Sequence, residues 1–394
     1  MRVAMITHSF YESDNRVLRY AGALAERGDT VEVAALRRNP NQAQEEVVQG
    51  VRVFRIQDRL DKNESSKLSL LGALLRFFIV SSFWITRRHW KEPYDLIHVH
   101  NIPDFLVFAA WYPRLRGARI ILDIHDLVPE FFASKFSSGE RSTVVRGLRV
   151  AEKLSAAFAH HIIIANHLWL DRYASRSASP HKCTVFINNV DTRLFRERPS
   201  RSAGGPPVIV FPGGLQWHQG VDIAIRAFAI LRNRLPQAVF NIYGDGHMRT
   251  QLIALAKQLE LDGSVRFFDP VPIAQVAAVM ADATLGVVPK RADSFGNEAY
   301  STKIMEFMAV GVPVVVSATK VDRFYFNESV VVFFESGNVE ALAGAMYKVL
   351  SDDTLREDLI KRAIEYAKRN SWGECKADYL HLVDALVRPE AKAA

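Results

Sequence analysis

Residues 283–288, ATLGVV, form a largely apolar run, too short for an ordinary helix and suited to a strand buried on both faces. A polar, glycine-containing loop follows, then a helix opening near Ser301, then a second apolar run at 312–316. Strand, helix and strand in that order make a parallel pair, because a chain that leaves one strand through a helix returns in the same direction. The same alternation opens the chain, with strands at 2–7 and 30–36 around an amphipathic helix at 17–27 that Gly28 ends. Strand-like runs at 51–56, 96–100, 119–124, 161–165, 184–187, 208–211, 239–243, 265–268 and 330–334 alternate with helical stretches at 144–159, 221–235, 251–259, 273–281 and 339–350. The pattern predicts an α/β chain with parallel sheets and no short internal repeat.

At 394 residues the chain is too long for one ordinary core. Residues 197–207, ERPSRSAGGPP, lack periodicity and are the expected linker between a domain at 1–196 and a second at 208–370. Cys183 and Cys375 are the only cysteines and match no disulfide framework or metal motif. The opening MRVAMITHSF reads as a first strand rather than a signal peptide, so a cytoplasmic location is expected. A formal net charge of +7 admits nucleic acid, an anionic membrane or an anionic substrate. No basic-aromatic RNA motif, basic tail or zinc-finger spacing accompanies it, which sets nucleic acid aside as a partner. The first strand-to-helix loop, HSFYESDNRV, has no G-x-G-x-x-G, so a dinucleotide enzyme loses support.

Two carboxylates stand eight residues apart after the run at 283–288, Glu298 in the loop and Glu306 on the helix. Lys303 lies one turn before Glu306, so the two share a face that looks back toward the loop end of the preceding strand. Ligands of an open parallel sheet bind beyond the carboxyl ends of its strands, against helix N-termini that favour phosphate. An acid able to hold paired hydroxyls beside such a place suits a sugar nucleotide; the plain alternative is that both glutamates are solvated surface acids.

The pattern Glu298, seven residues, Glu306, then FMAVGVPVV resembles the donor-binding motif of the retaining glycosyltransferases of family 4, of the bacterial polysaccharide-biosynthesis type, and the resemblance covers nearly the whole chain. It implies the GT-B architecture: two Rossmann-like domains facing each other across a cleft, the first for acceptor and the second for donor, with a C-terminal helix at 371–389 crossing back to the first. It implies a hexosyl- or N-acetylhexosaminyl-transferase that moves a sugar from a UDP- or GDP-linked nucleotide-sugar to a glycan or lipid-linked acceptor with retention. No cofactor and no metal are expected. Glu306 would hold the ribose hydroxyls and Glu298 the transferred sugar, with Asn297 assisting. His125, at the end of the strand 119–124, would neighbour that sugar, with Asp126 and Glu130 in the same turn on the acceptor side; the plain alternative is a structural histidine. Asp14 and Arg16 match an acceptor-side Asp-x-Arg-Val, or else cap a helix and lie in solvent. NNVDTRLF, 188–195, resembles a family Asn-Gly-Val-Asp-x-x-x-Phe, with Asn189 where glycine is usual.

In PGGLQWHQG the N–H groups of Gly213 and Gly214 can cradle a diphosphate before a helix. Relatives carry Arg and Lys where this chain has Gly214 and Gln219, so Lys303, with Arg291 or His218, is expected to take over the clamp. Gly244, in GDGHMR, and Val271, in the loop 269–272 that holds the base in relatives, complete the expected donor site. Lys67–Lys91 is interrupted by Gly72, Arg76 and two serines and falls short of a membrane span. It reads as an amphipathic helix with Leu70, Leu71, Leu74, Phe77, Phe78 and Trp84 on its apolar side and Arg87, Arg88 and Lys91 at its end. Peripheral contact with the inner face of the cytoplasmic membrane and burial in the first domain both remain open. A nucleotide-sugar epimerase and a catalytically silent scaffold of the same fold are the rival functions.

Overall fold

The computed structural model describes residues 1–59, 67–135, 142–197 and 205–388, so most of the expected linker, and the last residue of the expected 371–389 helix, lie outside the described residues. The chain divides into two compact units, Met1–Asn188 with Lys376–Ala394, and Asn189–Cys375. The boundary falls a few residues earlier than the composition of 197–207 suggests, and the reason is local. Asn189 donates to the Asn370 carbonyl at 2.7 Å and Trp372 N donates to the Val190 carbonyl at 2.9 Å. These bonds tie the NNVDTRLF segment to the end of the helix Asp353–Arg369 in the second unit. The helix Trp372–Val387 begins in the second unit and continues in the first.

The first unit holds an eight-stranded sheet made of β1 (Arg2–Ile6), β2 (Thr30–Arg37), β3 (Glu45–Val48), β4 (Val51–Asp58), β5 (Leu96–His100), β6 (Arg119–Ile124), β7 (His161–Ile164) and β8 (Cys183–Val185) in the order β3-β4-β2-β1-β5-β6-β7-β8. Every pairing is parallel except β3 with β4, a hairpin that covers the edge of β4. β1, β5 and β7 are buried at every residue, as strands covered on both faces must be. The second unit holds β9 (Val208–Pro212), β10 (Val239–Tyr243), β11 (Val265–Phe268), β12 (Leu285–Val288), β13 (Val314–Ser317) and β14 (Val332–Phe334), all parallel, in the order β11-β10-β9-β12-β13-β14. This is the doubly wound Rossmann order, and it reverses between β9 and β12.

Helix ends follow from their capping residues. Asp14 accepts from Val17 N at 3.2 Å at the head of Asn15–Glu26, and Gly28 at φ 94 ends it. The expected apolar side of Lys67–Lys91 is split in the fold. Phe77 is fully buried in the first unit's core, with Phe78 and Trp84 packed against it, whereas Leu71 is exposed on the other side. Leu74 is half-buried, and the side chain of Leu70 lies outside the described residues. Among the described residues no helix is long and apolar enough to cross a membrane.

Candidate functional site

The reversal in the second unit's strand order opens a crevice beyond the carboxyl ends of β9 and β12, where doubly wound sheets take their ligands. β9 runs into Gly213 and Gly214, and β12 into Pro289 and Lys290. The floor of the crevice is backbone against backbone. A Cβ on Gly244, at φ 154, would sit 1.8 Å from the Gly213 carbonyl oxygen, and one on Gly220, at φ 67, would sit 2.0 Å from that of Pro289. Only glycine allows either approach.

The first turn of the helix Thr302–Ala309 lies over this floor. Lys303 lays its stem on Gly213, where an added Cβ would come within 2.4 Å of Cε. Its Nζ donates to Gln219 Oε1 at 3.2 Å and lies 5.4 Å from the centre of the Phe211 ring. Burial pulls the Lys303 amine down to about 8, against the pull of the nearby Glu306 carboxylate, and Lys290 adds to the lowering. Glu306 and Glu298 are each 8% exposed, so neither is a solvated surface acid. Glu298 accepts from Lys320 Nζ at 3.3 Å. Asn297 accepts Lys320 N at 2.8 Å through Oδ1 and Val321 N at 3.0 Å through its carbonyl, which sews the loop to the helix Lys320–Tyr325. Beneath it a buried Lys290 donates to the Ala299 carbonyl at 2.6 Å and pairs with Asp322 at 2.9 Å.

The two other expected clamp cations are differently placed. Arg291 grips both oxygens of Asp222, at 2.9 and 2.6 Å, bonds the Trp217 carbonyl at 2.6 Å and stacks on the Trp217 ring. His218 lies against Phe295, with Nε2 3.0 Å from Gln219 Nε2, and burial lowers its pKa. Gly214 follows Gly213 with the Gln216 amide against it, and Val271 is half-buried between β11 and the helix Ile273–Ala281.

In the first unit two of the expected residues, Arg16 and His125, meet at Asp123, near the end of β6, whereas Glu130 is held elsewhere by Arg176. Arg16 holds both Asp123 oxygens at 2.7 Å and bonds the Phe186 carbonyl at 2.7 Å. Arg16 is therefore buried rather than solvated. His125 Nε2 and His100 Nδ1 each lie 3.1 Å from Asp123 Oδ2 and 3.1 Å from each other. His98 stacks on His100 and lies 3.1 Å from the Tyr379 hydroxyl. Burial lowers both His98 and His100, Asp123 opposing it. Burial would raise Asp123, yet the Arg16 and His125 charges hold it well below the usual carboxylate range. Asn101 shapes the loop, accepting from His125 N at 2.7 Å and donating to the Asp126 carbonyl at 2.8 Å. Burial pushes Asp126 up to about 6. Asp14 accepts from Ser9 Oγ at 2.7 Å besides capping its helix. Glu130 is bound bidentately by Arg176 at 2.5 and 3.0 Å, which outweighs burial and holds its pKa low.

Residues 193–366 match the family described as glycosyl transferases group 1, and residues 13–189 match the glycosyl transferase 4-like domain. The chain belongs to the family 4-type glycosyltransferases. It is 26% identical over 403 aligned residues to a D-inositol 3-phosphate glycosyltransferase of Corynebacterium glutamicum (strain R), covering 95% of this chain and 91% of the relative. It is 28% identical over 384 residues to the protein of the same name in Corynebacterium efficiens, covering 90% and 86%. Among solved structures, a sucrose-phosphate synthase from Thermosynechococcus elongatus superposes with a TM-score of 0.79 at 18% identity, over 99% of this chain and 100% of that one. The Anabaena protein HepE in complex with UDP-glucose superposes with a TM-score of 0.75 at 18% identity, over 98% and 100%. The fold is GT-B, with a Rossmann-like sheet in each unit.

The arrangement in this glycosyltransferase's second unit is suited to an anion: N–H groups at a glycine turn, a helix start and one cation over them. Among the described residues, the His98, His100 and Asp123 group has metal-ligand spacing. There the Arg16 guanidinium already spans both carboxylate oxygens. Several of these partners escape a reading of the sequence: Lys290, Lys320 and Asp322 around the loop, and His98, His100, Asn101, Asp123 and Arg176 in the first unit. The available signal was position. His98, His100 and Asp123 are polar residues inside otherwise apolar buried strands, where a titratable group requires a partner.

Proposed function

We propose that this glycosyltransferase moves a sugar from a UDP- or GDP-linked nucleotide-sugar to a glycan or lipid-linked sugar acceptor, with retention of configuration, in polysaccharide or glycoconjugate biosynthesis. The observation that carries the reading is the Lys303 amine lying over the Gly213 turn at the strand-order reversal. As the glycosidic bond breaks, the departing diphosphate gains charge, and a preplaced cation with N–H donors stabilises that state more than the bound donor. Glu306 holds the ribose and Glu298 the transferred sugar; Gly244 and Val271 border the nucleotide. His125 and Asp126 contact substrate in the first unit, and Asp14, Arg16 and Glu130 hold the loops that carry them. The UDP-glucose complex of HepE supports a nucleotide-sugar donor.

A thermal-shift panel of nucleoside diphosphates and their sugars tests this first, since a bound donor at about a hundred times its Kd adds about 2.7 kcal/mol of stability. Failure of every compound in the panel to raise Tm favours the silent scaffold. A sugar isomerised from donor alone, without acceptor, favours the epimerase. Glu306→Ala is expected to weaken donor binding by about 1.5 to 3 kcal/mol with the fold intact, as for lost charge-assisted hydrogen bonds. Unchanged affinity would remove Glu306 from the ribose.

A further inference from the structure

The helix Lys67–Lys91 carries two interleaved ladders at four-residue spacing, one buried and apolar but for Ser81, the other exposed and wholly apolar. Ala73, Phe77, Ser81 and Ile85 are buried, at 0–3% exposure. Leu71, Leu75, Ile79 and Phe83 are 46%, 46%, 65% and 68% exposed. The ladders are offset by two residues, which at about 100° per residue places them on opposite sides of the helix. A surface helix of a globular protein needs one apolar face, and this one has two. The outer face continues at the C-terminal end: Trp90, 74% exposed, stacks on Tyr112 with ring centres 6.0 Å apart. That contact brings in the helix Trp111–Leu115, whose Trp111 and Leu115 are 49% and 73% exposed.

Charge indicates what covers this surface. Lys67–Lys91 contains no aspartate or glutamate, and neither does 111–119. Arg76, Arg87, Lys91 and Arg116 are exposed beside the apolar residues, whereas Arg88 turns inward to Glu32. A second copy docked face to face would set these cations against their own kind, because a two-fold interface pairs a patch with itself. An anionic lipid surface has the opposite sign and accepts Leu, Phe and Trp side chains at the level of its headgroups. We propose that the outer face of Lys67–Lys91, extended by Trp111 and Leu115, seats this chain on an anionic lipid bilayer. The helix lies flat in the interface and does not cross it. This surface is independent of the donor site, so either proposal can fail alone.

The test is co-sedimentation of the full chain with vesicles of phosphatidylcholine and phosphatidylglycerol, against phosphatidylcholine alone. The wild type is expected in the pellet with the anionic vesicles only, and high salt is expected to release it. Replacing Leu75, Ile79 and Phe83 together by serine is expected to lower the bound-to-free ratio by about tenfold or more, at unchanged circular dichroism and Tm. If that variant does not fold, Arg76→Glu with Arg87→Glu provides the same readout through charge. Wild-type protein that stays in the supernatant overturns the proposal, as does undiminished binding of the variants. A concentration-dependent dimer that the serine variant dissolves, with no vesicle binding, would assign the face to a second copy instead.

Discussion

Under the proposed function, Lys303 is the cation that meets the diphosphate in the second unit, where its stem lies on Gly213. Burial draws its amine down to about 8. A bound diphosphate favours the charged form, so donor affinity should be full below about pH 8 and weaken as pH rises through it. Lys303→Arg, which stays charged at all working pH, should flatten that profile. Lys303→Met keeps much of the stem and removes the charge. It should lower turnover by about a hundredfold or more with a smaller loss in donor affinity. Turnover that survives Lys303→Met but is lost in Arg291→Met would move the clamp to the loop arginine, although that guanidinium is engaged by Asp222. In the first unit, Asp123 sits well below its unfolded value and His98 and His100 below theirs. A lowered histidine contributes stability that is present above its unfolded value of about 6.5 and lost as pH falls, because the unfolded chain then binds more protons. Lowered Asp123 acts in the same direction at more acidic pH, below about 3.9. The denaturant midpoint should therefore drop on going from about pH 7 to about pH 5. A flat profile would mean these rings are charged in the folded protein.

At the scale of elements, the helix Lys67–Lys91 resists a one-face description. Phe77 is fully buried among the first unit's core residues, so Phe77→Ser should cost about 3 to 5 kcal/mol and lower the denaturant midpoint. Phe83→Ser on the outer ladder should change stability by no more than about 0.5 kcal/mol. Equal effects at the two positions would show that both faces are packed. A substitution that took Phe77 as membrane-facing would unfold the unit instead of detaching it. The second unit's carboxylate loop behaves as an element too. Asp293 accepts from Phe295 N at 3.0 Å and Asn297 ties the loop's far end to Lys320–Tyr325, so Glu298 is carried on a braced turn.

At the scale of the molecule, each unit has its own core. One apolar cluster packs within the first sheet and its helices, and two pack on either side of the second sheet. A nucleoside diphosphate bound where the strand order reverses should slow amide exchange at Gly213–Leu215, Gly244–Gly246 and 297–306 while leaving β1 and β5 of the first unit unchanged. Protection confined to the first unit would place the nucleotide there.

Alternating apolar runs and helices made the parallel sheets legible in the sequence, because strand burial and helix amphipathicity are properties of neighbours along the chain. Glu298, Lys303 and Glu306 were legible for the same reason, lying on one short loop and one helix turn. The hairpin strand Glu45–Val48, the helix Asp353–Arg369 and the short helix Lys320–Tyr325 were not: two of these segments are strongly charged and the third is very short. What Arg16, Asp123, His100, Arg291 and Lys290 are bonded to was decided only by the tertiary structure, since their partners are distant in sequence. Arg16 and Asp123, for example, are separated by 107 positions. The two faces of Lys67–Lys91 belong with these. Both are apolar, and only the packing of a sheet against one of them distinguishes core from surface.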